Sequence, residues 1–271
     1  MNMEDNIRRA ADRILGAAGA VAGAAASAAG ATRRPIGILC AMDIEIADLL
    51  ESLENAQVTE RAGYRFSCGT IGGQPVVLVR CGVGKVNAAR GTQMLIDLFE
   101  PEAILNSGIA GGTAEGLQVG DVVIGTDLVQ HDFDVTAFGH AKGFLCTDEP
   151  DDKPTVFTAD PALVDGLAAA AEKLAGGTRR IHRGRIASGD QFIASTETKA
   201  EIAGLFGAMA AEMESAAIAQ TASYAGVPFA VIRVISDLAD GTAPESYETF
   251  EIESADFSAA VIQEFLAALG K

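Results

Sequence analysis

Strands that alternate with helices put this chain in the α/β class, as a sheet with helices on both of its faces. Two observations predict it. Short apolar runs recur along the chain, each closed by glycine, proline or a polar break in the manner of buried strands. Longer segments of helical length separate them, and from Pro35 to Lys271 neither an internal repeat nor an interior linker interrupts the succession. One domain is therefore expected over 35–271.

The first strand is expected at Ile36–Ala41, running into a helix at Glu45–Glu54. Pro75–Cys81 is the next strand and Asn87–Phe99 the helix behind it. Ala103–Asn106 and Asp121–Thr126 are further strands, and Ala162–Leu174 and Thr198–Phe206 further helices. Ser215 is placed to cap a helix over Ser215–Tyr224, which Gly226–Val227–Pro228 stops ahead of a strand at Phe229–Ile235. The last helix is expected at Ser254–Leu269.

Composition narrows the function. Hydrophobic residues make up 49% of the 271 and charged residues 21%, a globular balance with ample material for a core. With 20 Lys and Arg against 37 Asp and Glu, the formal charge is −17. That argues against nucleic acid and against an anionic membrane surface as partners. Cys40, Cys68, Cys81 and Cys146 form no CxxC pair, and His131, His140 and His182 are scattered. Neither a zinc site nor a disulfide framework is expected. The picture is of an acidic, cytoplasmic protein that handles a small molecule.

Residues 1–34 differ from the rest. Of the fifteen positions from Ala17 to Ala31, ten are alanine, and five arginines against three acids give the segment +2, leaving −19 for the remainder. The pattern loosely imitates an export signal, but Glu4, Asp5 and Asp12 sit in its basic region and its apolar run is weak and short. An Ala/Gly-rich N-terminal extension, helical or disordered, is expected.

Two glycine-rich segments follow strands, Cys81–Lys85 and Ser107–Gly112, and read as turns that bring backbone close to a ligand. Val86 after Lys85 excludes a Walker A loop, and neither segment completes GxGxxG. Carboxylates at strand ends say more. In Ala210–Ser215, Glu212 and Glu214 stand two apart among apolar neighbours; if extended, both point to one face, where like charges cost free energy unless something binds them. The run Phe229–Asp237 is broken by Arg233 and closed by Ser236–Asp237. A buried arginine needs a partner, which either Glu212 or Glu214 would supply. Glu45 follows the first strand, at the edge where open α/β sheets bind ligands. Each residue also has a plainer use: Glu45 at a helix N-terminus, Ser236–Asp237 as a cap, and Ser188–Ile193 as a turn carrying a core Phe192.

Taken in order, the blocks GILCAMDIEI, CGVGKVNAA, NSGIAGG, VGDVVIG, HDFDVTAFG, SGDQFI, AAEMESAAIA and VIRVISDLAD resemble one family. It is that of the 5′-methylthioadenosine/S-adenosylhomocysteine nucleosidases, within the purine nucleoside phosphorylase-like superfamily. The resemblance runs from about Ile36 to the C-terminus. It implies a three-layer α/β/α fold of nucleoside phosphorylase/hydrolase type with a central mixed, twisted sheet. It also implies hydrolysis of the bond between adenine and a 5′-thio-substituted ribose, without cofactor or metal. The difficulty of that reaction is a poor leaving group on an oxocarbenium-like sugar, met by one acid and one water-activating carboxylate.

Carried over by resemblance, Asp237 is the acid aimed at adenine N7 and Ser236 fixes its carboxyl group. Glu45 activates the water, which Arg233 and Glu212 help to hold. Glu214 accepts the ribose hydroxyls and Met213 packs on the sugar. Phe192 stacks on adenine, and Ile193 reads the purine edge through its backbone. Met42 joins the substrate-binding set. Val83, Val135 and Phe138 wall the sugar and 5′ pocket, with Phe138 reaching across a dimer interface. Glu45, Glu214, Arg233, Asp237 and Phe192 are thus expected to line one cleft at the carboxyl edge of the sheet. Ile109 stands where a serine is found in the family, and Tyr247 where a phenylalanine often lines the 5′ pocket.

Three alternatives remain. A phosphorylase of the same fold would need cations for phosphate, yet Ala41–Leu50 contains no Lys or Arg and does contain Glu45. A sister nucleosidase for aminodeoxyfutalosine would share the acid, the base and the adenine contacts. A non-catalytic nucleoside-binding protein would be marked by loss of Asp237 or Glu45, and both are present. The apolar loop His131–Gly139, with Phe133, Val135 and Phe138, marks an interface, and with the pocket that the resemblance builds across a two-fold axis a homodimer is expected.

Overall fold

The structure, a computed structural model, describes residues 33–146 and 152–270. The expectation for 1–34 therefore lies, apart from Arg33 and Arg34, outside the described residues. Among the described residues the strands are β1 (Ile36–Cys40), β2 (Glu54–Arg61), β3 (Tyr64–Ile71), β4 (Gln74–Arg80), β5 (Ala103–Gly112), β6 (Val122–Gln130), β7 (Phe157–Thr158), β8 (Ile181–Ser188), β9 (Ala208–Glu212) and β10 (Phe229–Asp237). The helices are α1 (Asp43–Glu51), α2 (Lys85–Phe99), α3 (Pro161–Ala175), α4 (Thr196–Phe206), α5 (Ser215–Tyr224) and α6 (Ala243–Leu269).

The strands form one mixed sheet, as the resemblance implies. β1 runs parallel to β4 and β5, and β5 parallel to β10, whereas β6 runs antiparallel to β10 and β3 antiparallel to β4. One feature is invisible in strand spacing. β5 pairs with β10 along most of its length, with β1 through Ala103–Asn106, and with β9 at Gly111–Gly112. Since β10 continues through β6 and β8 back to β9, five strands close into a ring, and β1, β4, β3 and β2 extend from it. The ends of β1, β5, β9 and β10 are thereby brought together.

Several expected boundaries move for physical reasons. The first helix stops at Glu51 and Glu54 opens β2, an edge strand exposed along nearly its whole length that lacks the apolar alternation by which strands are recognised. Ser107–Gly112 is not a turn: β5 runs straight through it, fully buried for most of its course, and its glycines serve close packing. β8 was unanticipated because glycine and arginine dilute its apolar content. α6 begins at Ala243, eleven residues ahead of Ser254, because Pro244 suits a first helical turn and the acidic positions face outward. Ser215 does not cap α5 either; Glu214 is the N-cap residue. The core is aliphatic, with Ile38, Leu39, Leu78, Leu105, Ile124, Val231, Ile232 and Val234 all fully buried along neighbouring strands.

Candidate active site

β1 delivers Glu45. Its carboxylate is third in α1 and folds back on the helix start, where Oε2 accepts the N–H groups of Ala41 (2.8 Å) and Met42 (3.0 Å). Oε1 accepts from Ile109 N on β5 (3.2 Å). Gly108 makes this approach possible, since a Cβ there would stand 2.4 Å from Glu45 Oε1 and 3.0 Å from Arg233 Nη1. Burial pushes the Glu45 pKa up; the Arg233 charge and the three N–H groups only partly oppose it.

β10 delivers Asp237 as its last residue. Ser236 Oγ donates to Oδ2 (2.8 Å) and Ala239 N to Oδ1 (2.9 Å), so the carboxyl group is fixed at both oxygens. Burial raises its pKa as well, against those two hydrogen bonds. A carboxyl group whose pKa is raised holds its proton more readily, which suits proton delivery.

Glu212 and Glu214 take different roles. Glu212 ends β9 and meets Arg233, whose Nη2 donates to Oε2 at 2.6 Å, while Ser188 donates to Oε1. Its Oε2 also accepts the N–H groups of Glu214 (3.0 Å) and Ser215 (2.9 Å), the capping work once expected of Ser215. Burial alone would raise its pKa, but the Arg233 charge and these donors hold it below the usual carboxylate range. Glu214 is not at a strand end: it lies past β9 at the start of α5, with Oε1 accepting Gly84 N at 2.7 Å. Burial and the Glu212 charge push its pKa well above the ordinary value.

A cavity of about 340 Å³ collects these groups. Its wall includes Met42, Glu45, Val83, Ile109, Phe192, Ile193, Glu212, Met213, Glu214, Ser236, Asp237 and Tyr247. Tyr247 directs its hydroxyl at Met42 Sδ (3.2 Å) and stands edge-on to the half-exposed Phe192 ring at 5.7 Å. Arg233 does not line the cavity. It is buried behind the wall, committed to Glu212, to Asn106 Oδ1 (2.6 Å) and to Ser215 Oγ (2.8 Å). Val135 and Phe138 are also absent from this wall; they belong to a surface turn where Phe138 is 82% exposed. The motif reading missed Asn106, Ser188 and Gly108, which hold or make room for the charged groups. Only their membership of the NSGIAGG and SGDQFI blocks signals them. Among the described residues, no group of three or more His, Cys, Asp or Glu is arranged to hold a metal ion, and no helix is long and apolar enough to cross a membrane.

A mixed sheet whose strand ends set two buried acids on one cavity places the chain in a known class: the model of the phosphorylase superfamily matches residues 35–267. The chain is 42% identical over 226 residues to a 5′-methylthioadenosine/S-adenosylhomocysteine nucleosidase of an Exiguobacterium species, covering 83% of this chain and 94% of that one. The crystal structure of the same enzyme from Neisseria meningitidis, in complex with methylthio-immucillin-A, superposes with a TM-score of 0.80 at 38% identity, over 87% of this chain and 99% of that one. The Streptococcus pneumoniae enzyme with a transition-state inhibitor gives 0.78 at 40% identity, over 87% and 99%. The chain belongs to the 5′-methylthioadenosine/S-adenosylhomocysteine nucleosidase family.

Proposed function

We propose that the chain hydrolyses the N-glycosidic bond of 5′-methylthioadenosine and S-adenosylhomocysteine, releasing adenine and the 5-thio-substituted ribose. The observation that carries this reading is the pair of buried acids, Glu45 after β1 and Asp237 ending β10, facing one cavity that Phe192 and Ile193 wall on another side. Asp237 gives its proton to adenine N7 as the bond to the anomeric carbon breaks. Glu45 takes a proton from water as the oxygen bonds to that carbon. Glu214 accepts the ribose hydroxyls, Met213 packs on the sugar, and Phe192 stacks on the base. Arg233 acts from behind, by holding Glu212 in place and adding positive potential beside Glu45. Ile109 and the Tyr247 hydroxyl shape the pocket toward the 5′ substituent.

The catalytic unit in this reading is 35–271, with 1–34 as an extension, and the protein works in the cytoplasm. Its active form is a homodimer in which Val135 and the exposed Phe138 complete the partner's pocket; light scattering that finds a fully active monomer refutes that part. The reaction is tested by product analysis with methylthioadenosine, S-adenosylhomocysteine and aminodeoxyfutalosine, with and without phosphate. Free thioribose and adenine support hydrolysis. Ribose 1-phosphate products would mean a phosphorylase, turnover confined to aminodeoxyfutalosine a sister nucleosidase, and binding without turnover a carrier.

A further inference from the structure

Lys85 is the first residue of α2, where a positive charge opposes the helix dipole. Nothing in the helix calls for a cation there. Its ammonium instead leaves the helix and is held by Gln130 Oε1 (3.0 Å), the last residue of β6, and by Asp132 Oδ1 (2.5 Å), two residues beyond it. The pair is largely shielded, at 17% and 16% side-chain exposure, so it is not a solvated surface bridge. Burial would raise the Asp132 pKa, and the Lys85 bond and charge overturn this and lower it.

The contacts continue from both partners. Asp132 Oδ2 accepts Asp190 N (2.8 Å), and Asp190 Oδ1 returns to accept Lys85 N (2.8 Å). The circuit Lys85–Asp132–Asp190–Lys85 closes on itself, linking the loop after β4 to the loop after β8 by way of the end of β6. Each linked loop carries part of the active cavity. The first holds Val83 and Gly84, whose N–H positions Glu214; the second continues into Gln191, Phe192 and Ile193. Gln130 further binds Gln220 of α5 (2.8 Å), the helix that Glu214 begins. Gly189 leaves no slack, because a Cβ there would meet His131 Nε2 at 2.4 Å.

We infer that Lys85 is a positioning residue: held by Asp132 and Gln130, it locks the loop that sets Glu214 to the loop that carries Phe192 and Ile193. The sugar-binding and purine-binding walls are thereby kept at one spacing. This rests on the nucleosidase reading above. A nucleoside engages both walls at once, whereas free adenine engages only the second, so slack between them weakens the nucleoside far more than the base.

The test compares Lys85→Met, Lys85→Arg and Asp132→Asn with wild type in the full chain. Wild-type release of adenine from methylthioadenosine is measured first, so that failure of the nucleosidase reading shows itself before any variant is compared. Lys85→Met is expected to raise KM for methylthioadenosine at least ~10-fold while the inhibition constant of free adenine stays within ~3-fold. Lys85→Arg, which restores the charge, is expected to recover most of the loss. Asp132→Asn, which leaves Lys85 its bond to Gln130, is expected to give a smaller rise in the same ratio and keeps the test alive should Lys85→Met fail to fold. A nucleoside KM within twofold of wild type in both Lys85→Met and Asp132→Asn overturns the inference. So does a parallel weakening of adenine and nucleoside together with a fall in Tm, which would mark an ion pair of structural use only.

Discussion

Replacing Gly108 by alanine tests whether the strand packing of β5 sets the position of Glu45, the carboxylate proposed to activate water. The new Cβ would stand 2.4 Å from Glu45 Oε1 and 3.0 Å from Arg233 Nη1. A carbon and a carboxylate oxygen settle no closer than ~3.3 Å, so the oxygen must retreat by ~0.9 Å. Glu45 cannot absorb this by a free rotation, since its other oxygen is bound at 2.8 Å and 3.0 Å by Ala41 and Met42. The bond from Ile109 N, already 3.2 Å, is the one that breaks. Misplacing a reacting group by ~1 Å costs about 100-fold, or ~2.7 kcal/mol of barrier. Stability should suffer less: overpacking costs ~1–3 kcal/mol, against ~0.5–1 kcal/mol regained by stiffening the unfolded chain. The expected result is a kcat for adenine release from methylthioadenosine lowered ~100-fold in a protein that still folds cooperatively. A Gly108→Ala enzyme within threefold of wild type would refute the placement of Glu45.

Asp237→Asn keeps an acceptor for Ala239 N but cannot deliver a proton; kcat should drop by ~10²–10⁴ while an unreactive substrate analogue still binds in calorimetry, and turnover within a few-fold of wild type removes Asp237 from the acid's role. Glu214 has a folded-state pKa above its unfolded 4.5, so its contribution to stability is present below pH 4.5 and is lost as pH rises through the raised value. Glu214→Gln, which does not titrate, should therefore gain Tm relative to wild type between pH 5 and pH 8; a constant difference across that range contradicts the shift. Arg233→Met strands Glu212 as an unpaired buried charge and should cost ~3–5 kcal/mol in denaturant unfolding. Adding Glu212→Gln should return part of that loss, and a double variant less stable than Arg233→Met alone would show that the pair is not what couples them.

Much of the molecule is local information. The apolar runs at Ile36–Cys40 and Phe229–Asp237 are strands because short, nearly continuous apolar segments are buried on both faces of a sheet; Asp237 closes the second, and Glu45 lies in the helix that follows the first. The ordered blocks identified the family because they contain those closing residues and the glycines beside them. The reading failed where the signal was not local. β2 has no buried face, so its pattern is that of a loop, and it is a strand only because β3 offers a free edge.

Glu212 and Glu214, two residues apart, were equivalent candidates to neutralise Arg233. The choice of Glu212 depends on Asn106 and Ser188 arriving from two other parts of the chain, beside Ser215 three residues on, so local spacing alone does not encode it. The same closure of β5, β10, β6, β8 and β9 moves Arg233 behind the cavity and leaves Glu214 to begin α5 against Gly84. By itself the sequence determined which charged residues interrupt or follow the buried apolar runs, because burial of an apolar run is a property of the run. Only the tertiary structure decided which of those charges meet, because a buried charge takes the partner that the closed sheet brings within ~3 Å, however far away it lies along the chain.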